Sequence, residues 1–230
     1  MTKSVLMNPP FSTEWVPKED GRFKGFALAP KKKADYAFLL HGYDQLSMNG
    51  KMAIILPHGV LFRGNAERKI RQKLLEMGAI SAIIGLPEKL FSGTGIPTCI
   101  LVLKKRSAKD VLFIDASKEF EKAKSHNLLK EEHIKKILAV YHERKEVERF
   151  SHLASMEEIK ENDFNLNIPR YVDMFEPEEI IDLGETVEEL FKVDAEIKKS
   201  ENELADMMKD LVADSKEDQA AIHNLIKKWS

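Results

Sequence analysis

The sequence has a single cysteine, Cys99, among 230 residues. That excludes an intrachain disulfide framework and fits a reducing cytoplasm. No run of about 18 apolar residues occurs, so a transmembrane helix is not expected. The opening stretch MTKSVLMNPPF has neither the long apolar core nor the small-residue cleavage site of a signal peptide. The 7 histidines are scattered and show no metal-ligand spacing, so no metal site is expected. What remains is an ordinary globular composition, 43% hydrophobic and 32% charged, which argues against wholesale disorder and collagen-like structure.

The net charge of −2 hides an asymmetry. Residues 1–110 carry 18 Lys and Arg against 9 Asp and Glu, whereas residues 111–230 carry 18 against 29. A basic front half suits a polyanion and an acidic rear half repels one, although uneven charge also arises by chance.

Along the chain, KSVLM at 3–7 reads as a strand stopped by Pro9 and Pro10, since proline donates no hydrogen bond and restricts its predecessor. Residues 12–33 have no period, and a segment of that length is usually functional or disordered. Apolar residues at three- and four-residue steps predict a helix over 34–48, closed by Asn49-Gly50. Strands are expected at 51–56, 79–86, 98–104 and 111–115, with a basic amphipathic helix at 65–77. Strands alternating with helices predict a mostly parallel α/β sheet. The short helix-free link before 98–104 predicts one antiparallel pairing. Residues 117–149 look charged and helical. From about 185 the chain reads as one long helix, with Leu190, Ile197, Leu204 and Leu211 repeating every seven residues. This is a surface helix or an arm docking one narrow stripe.

Asn8-Pro9-Pro10-Phe11 is the most informative short motif. Ligands of α/β sheets gather at the carboxyl ends of strands, where it would lie. The prolines stiffen the backbone, so the Pro9 carbonyl and the Asn8 side-chain oxygen form a preset pair of acceptors for an exocyclic amino group. Phe11 offers a face on which a planar base can stack. The alternative is a turn whose Phe packs in the core. His58 reads as a structural loop histidine rather than a catalytic base, and Cys99 as a buried small hydrophobe. The run Ser92-Gly93-Thr94-Gly95 reads as a tight turn near the base pocket rather than a phosphate loop, because no helix follows it.

VLMNPPF at 5–11, ADYAFLLH at 34–41, ILPHGVLFRG at 55–64, IIGLPEKLFSGTGIPTCILVLKK at 83–105, FIDAS at 113–117 and NDFNLNIPRYV at 162–172 resemble, in order, the modification (methyltransferase) subunit of type I restriction–modification systems. That family consists of N6-adenine DNA methyltransferases. The resemblance covers residues 5 to about 175, and the 83–105 run is its most specific part. It implies the C-terminal part of a Rossmann-like methyltransferase sheet, of about four mixed strands, followed by a helical tail. The expected divisions are a target-base half at 1–116, a connecting region at 117–175 and a helical arm at 176–230.

By that resemblance Asn8, Pro9, Pro10 and Phe11 are the catalytic motif gripping a flipped adenine. Arg22, Lys24, Lys31, Lys32, Lys33 and Arg63 are candidate DNA contacts. Arg68, Lys69, Arg71 and Lys73 look more like a solvated helix face. The implied methyl donor is S-adenosylmethionine. The family's glycine-rich cofactor turn precedes N-P-P-F, and here only seven residues do. The chain alone is therefore expected to bind no cofactor and to be inactive, with the strand at 4–7 left as a sheet edge exposing apolar side chains on both faces. Implied partners are DNA, a specificity subunit, a second modification subunit, a restriction subunit and a separate cofactor-binding fragment, with no membrane. The alternatives are an assembly module docking to a specificity subunit, or an N-P-P-aromatic methyltransferase acting on protein glutamine.

Overall fold

The computed structural model describes residues 2–91, 94–105, 108–173, 182–213 and 215–229. The chain divides into two compact units, Met1–Phe175 and Glu176–Ser230.

The first unit is built on a six-stranded mixed sheet. Its strands are β1 Thr2–Met7, β2 Leu46–Pro57, β3 Ile80–Gly85, β4 Thr98–Lys104, β5 Asp110–Asp115 and, after the small ribbon of β6 Glu121–Lys122 and β7 Asn127–Leu128, β8 Ser151–Ser155. The order across the sheet is β1-β2-β4-β3-β5-β8. The pairs β1/β2 and β3/β5 are parallel, while β2/β4, β3/β4 and β5/β8 are antiparallel. The expected antiparallel link between β3 and β4 is present, but the sheet is not mostly parallel, and it has six strands rather than about four. Strand β8, with only two of its five residues buried, gave no long apolar run to read.

Four helices flank the sheet: α1 Asp35–Asp44, α2 Asn65–Glu76, α3 Glu131–Glu143 and α4 Met156–Glu161. Strand periodicity sends alternate side chains to opposite faces. On one face Met52, Ile54 and Leu56 of β2, Cys99, Leu101 and Leu103 of β4 and Phe113 of β5 pack under Leu39 and Leu40 of α1, Ile70 and Leu74 of α2 and Ile159 of α4. On the other, Ala82, Ile84, Leu112 and Ile114 pack under Ile137 and Val140 of α3. Cys99 is fully buried, and burial pushes its thiol pKa up.

The helix over 34–48 is shorter than expected. It stops at Asp44, and Asn49-Gly50 lies inside β2 instead of capping a helix. The β1/β2 register slips between Thr2 and Ser4. A Cβ at Gly50 would stand 3.0 Å from the Thr2 carbonyl, so the glycine permits close backbone approach at this irregularity. Strand β1 is the sheet edge, as expected, but it bares one face only. Leu6 is 84% exposed, while Val5 and Met7 pack against the α1 side of the core. Residues 117–149 are helical only over α3, the rest being the β6/β7 ribbon and turns.

In the second unit, the expected single long helix is two, α5 Leu183–Met208 and α6 Lys216–Trp229. The Ser215 hydroxyl accepts the Asp218 N–H at 3.0 Å and so starts the second helix. Leu190, Ile197 and Leu204 lie exposed on α5, and Leu211 falls beyond its end. No helix among the described residues is long and apolar enough to cross a membrane.

Candidate functional site

The tetrapeptide leaves the carboxyl end of β1. Asn8 and Pro10 are exposed, Pro9 is buried and Phe11 is half-buried. Among the described residues, none donates a hydrogen bond to the Asn8 side chain or to the Pro9 carbonyl. The Phe11 ring meets Phe91 edge-on, with centroids 6.0 Å apart and planes at 83°. Phe91 belongs to the β3–β4 connection, which therefore reaches the motif. Its aromatic role was not singled out in the sequence, although LF before a glycine-rich turn was a visible signal. Ser92 and Gly93 lie outside the described residues. Thr94 closes a local turn by accepting the Ile96 N–H at 3.2 Å.

Immediately after Phe11 the chain turns through Ser12, whose φ of 49° lies in the left-handed region. The Ser12 N–H donates to the Asp35 carboxylate at 2.8 Å. Asp35 is fully buried and also accepts from Arg63 Nη2 at 2.5 Å. Arg63 in turn holds Glu67 through two donors, one at 2.9 Å. The segment 12–33 is irregular but not loose. Its neck is closed by Ala34 N–H to Thr13 carbonyl at 2.9 Å and Trp15 N–H to Lys31 carbonyl at 2.9 Å, with Trp15 Nε1–H on the Pro30 carbonyl at 3.0 Å. Inside, Trp15 packs edge-on against Phe23 with centroids 5.6 Å apart. This is a compact loop whose ends meet beside the motif.

The basic candidates separate into distinct environments. Lys24, Lys31 and Lys32 are exposed on the loop, and Lys33 is half-buried near its neck. Arg22 is exposed, bonded to Asp20 and, at 3.2 Å, to His41 Nδ1. The Arg63 side chain is only 19% exposed and engaged by two carboxylates. On α2, Lys69 and Lys73 are exposed and Arg68 pairs with Asp163. Arg71 corrects the expectation of a solvated helix face. It is buried, and its guanidinium donates to the carbonyls of Val60, Arg63 and Phe164 at 3.1, 3.0 and 2.7 Å. Beside it the Tyr36 hydroxyl donates to the Val60 carbonyl at 2.8 Å, and burial pushes the phenol pKa up to about 12. Arg71 thus pairs the Arg63 and Phe164 carbonyls and shares that of Val60 with Tyr36.

His58 follows the end of β2. Its Nε2 donates to the Thr98 carbonyl at 2.9 Å, and burial pulls its pKa below the usual histidine value. The ring is a structural tie between β2 and β4.

The glycines near the strand ends differ in the room beside them: a Cβ at Gly64, at the start of α2, would meet nothing within 4 Å. In the β2–α2 turn, a Cβ at Gly59 would stand 2.3 Å from the Arg63 guanidinium, so the space beside this glycine is already filled. At the end of β3, a Cβ at Gly85 would meet the Ile168 side chain at 2.7 Å.

An α/β sheet of this order, with N-P-P-F at the end of a strand and an aromatic loop above it, defines a methyltransferase fold. The N-6 DNA Methylase family matches residues 1–180, and the chain belongs to that family. It is 36% identical over 226 residues to the type I restriction enzyme MpnII methylase subunit of Mycoplasma pneumoniae, covering 93% of this chain and 40% of that protein. It is 42% identical over 223 residues to the MjaVII methylase subunit of Methanocaldococcus jannaschii, covering 88% and 37%. The solved methyltransferase subunit of a type I restriction–modification system from Streptococcus thermophilus superposes with a TM-score of 0.73 at 58% identity, covering 74% of this chain and 38% of that one. The chain thus spans about two fifths of the length of the proteins it matches.

Proposed function

We propose that this chain is the target-base portion of a type I restriction–modification DNA methyltransferase, which transfers a methyl group to the N6 of adenine. The observation that carries the reading is that, at the end of β1 and next to the half-buried Phe11, none of the described residues donates to the Asn8 side chain or the Pro9 carbonyl. Two oxygens accepting from one amino group hold the adenine amine in place and leave its nitrogen lone pair directed at the methyl donor. Phe11 stacks the base, and Phe91 closes the aromatic wall at right angles. Positioning is the main contribution of these residues, since the amine needs no covalent enzyme intermediate. S-adenosylmethionine supplies the methyl group in the complete enzyme.

Lys24, Lys31 and Lys32, free on the loop beside the motif, contact DNA phosphates, and raising salt weakens that contact. Arg22 joins them when DNA displaces its local partners. The proposed partners are DNA, a specificity subunit, a second modification subunit, a restriction subunit and a cofactor-binding fragment, all in the cytoplasm. One observation favours assembly as a second role, namely the exposed apolar residues Leu190, Ile197 and Leu204 along an acidic helix.

The test is product identity. The chain, combined with a cofactor-binding fragment and a specificity subunit, is incubated with labelled S-adenosylmethionine and unmodified DNA. Mass spectrometry of the digested DNA is expected to find N6-methyladenine. Label in protein glutamine, with none in adenine, refutes the assignment.

A further inference from the structure

We propose that Asp35 is a positioning residue for the Asn8–Phe11 motif: its carboxylate holds Ser12 in the left-handed conformation that sets the direction of the Phe11 ring. The proposal rests on the reading of Phe11 as the stacking face for a base. Pro9 and Pro10 stiffen the backbone on the entering side of Phe11. Nothing comparable stiffens the leaving side. Ser12 is not glycine, and its φ of 49° is a conformation that non-glycine residues seldom adopt unaided. The bond that holds it there is the Ser12 N–H to Asp35 at 2.8 Å, backed by a weaker hydroxyl contact at 3.5 Å.

Asp35 suits this task because it cannot move. It is the first residue of α1 and has no solvent exposure. Its second partner, Arg63, is locked by Glu67 on α2. A buried carboxylate with one fixed cation leaves its remaining lone pairs to the nearest donor, and here that donor is the backbone next to the stacking ring. The chain Glu67–Arg63–Asp35–Ser12 therefore ties the exit of the motif to the β2–α2 turn. The loop neck at Thr13 and Trp15 fixes where the chain goes next, but it acts beyond Ser12 and leaves the Phe11–Ser12 turn to Asp35.

The test uses the full chain labelled with 4-fluorophenylalanine. The Phe11 fluorine resonance is identified by its loss in Phe11→Leu. Two variants cut the same link from opposite sides. Asp35→Ala removes the acceptor. Ser12→Pro removes the N–H and forbids a positive φ at an exposed position, leaving the Asp35–Arg63 pair intact. Both are expected to move the Phe11 resonance by more than its linewidth while leaving that of core Phe113 in place. Adding Ser12→Gly to Asp35→Ala is expected to return the resonance toward its original position, because glycine turns left-handed without help. A Phe11 resonance unmoved in Ser12→Pro, or no recovery with glycine, overturns the proposal. If Asp35→Ala does not fold, Ser12→Pro decides alone. Titration with single-stranded oligodeoxyadenylate separates the two ideas. A Phe11 shift on titration supports the base-stacking reading. Its absence, with the Asp35 and Ser12 effects intact, refutes that reading and leaves the positioning role standing.

Discussion

The two halves of the sheet are covered differently. Over β3 and β5 both faces are packed, one by α2 and the segment around Tyr171 and the other by α3, so that Leu112 and Ile114 have no exposure. Over β1 and β2, among the described residues, the α1 side is the packed one, while on β4 the other face is covered in part, Val102 being buried in the α3-side core. On the opposite face Leu6 is 84% exposed, and Ala53, Ile55 and Ile100 remain half-buried. Among the described residues, strand β1 is also an edge, paired with β2 alone. A half-covered sheet with a free parallel edge is a surface shaped to receive further structure, since parallel strands are normally buried on both faces. The candidate site grows out of this incomplete half. Its aromatic wall, Phe91, is delivered by the complete half through the β3–β4 connection.

The comparison is sharpest in a pair of matched truncations. Leu112→Ala, on the covered half, is expected to lower unfolding stability by about 2–5 kcal/mol in urea titration. Leu6→Ala, on the same face of the bare half, is expected to change it by no more than about 0.5 kcal/mol. Equal losses would mean that the bare face is covered in solution and would break the contrast. Self-association is the next effect. The isolated chain is expected to show concentration-dependent sedimentation, and Leu6→Lys to shift it toward monomer, since a charge on an edge strand opposes strand addition. A chain that stays monomeric at all concentrations, with or without Leu6→Lys, argues against a receptive edge.

The smallest effect concerns His58, which ties the end of β2 to the start of β4. Burial lowers its folded pKa below the unfolded value of about 6.5. The unfolded state therefore binds more protons on the acid side. The stability this neutral ring contributes is complete above about pH 6.5 and is lost as pH falls through the folded pKa. His58→Asn is expected to flatten the urea midpoint between about pH 7 and 5 relative to the parent. An unchanged acid slope would show that other groups set it.

Much of the fold was legible because its central strands are long apolar runs punctuated by proline or glycine, as in KMAIILP and TCILVLK. The reading faltered where one signal serves two purposes. Asn49-Gly50 marks a helix end in most contexts, but here the glycine accommodates the Thr2 carbonyl at a register slip. Strand β8 is short and half-polar, so its pairing with β5 is a tertiary matter. The break between α5 and α6 did leave a trace, since Ser215 stands three residues before Asp218 in the spacing of a helix start. Of the site, the motif itself was visible. Its support was not: Asp35 lies 23 residues from Ser12 and 28 from Arg63, and no local pattern announces a carboxylate that joins them. Arg71 was misread for a similar reason, because its carbonyl partners come from Val60, Arg63 and Phe164.

The account stands on the Asn8 carboxamide and the Pro9 carbonyl as the pair that holds an adenine amine. The most direct measurement is the rate of methyl transfer to DNA adenine by the assembled enzyme carrying Asn8→Ala. Loss of one preset hydrogen-bonding group at the reacting atom is expected to slow transfer on the order of 100-fold, with DNA affinity and folding unchanged. A variant that methylates adenine at the parent rate would contradict the account.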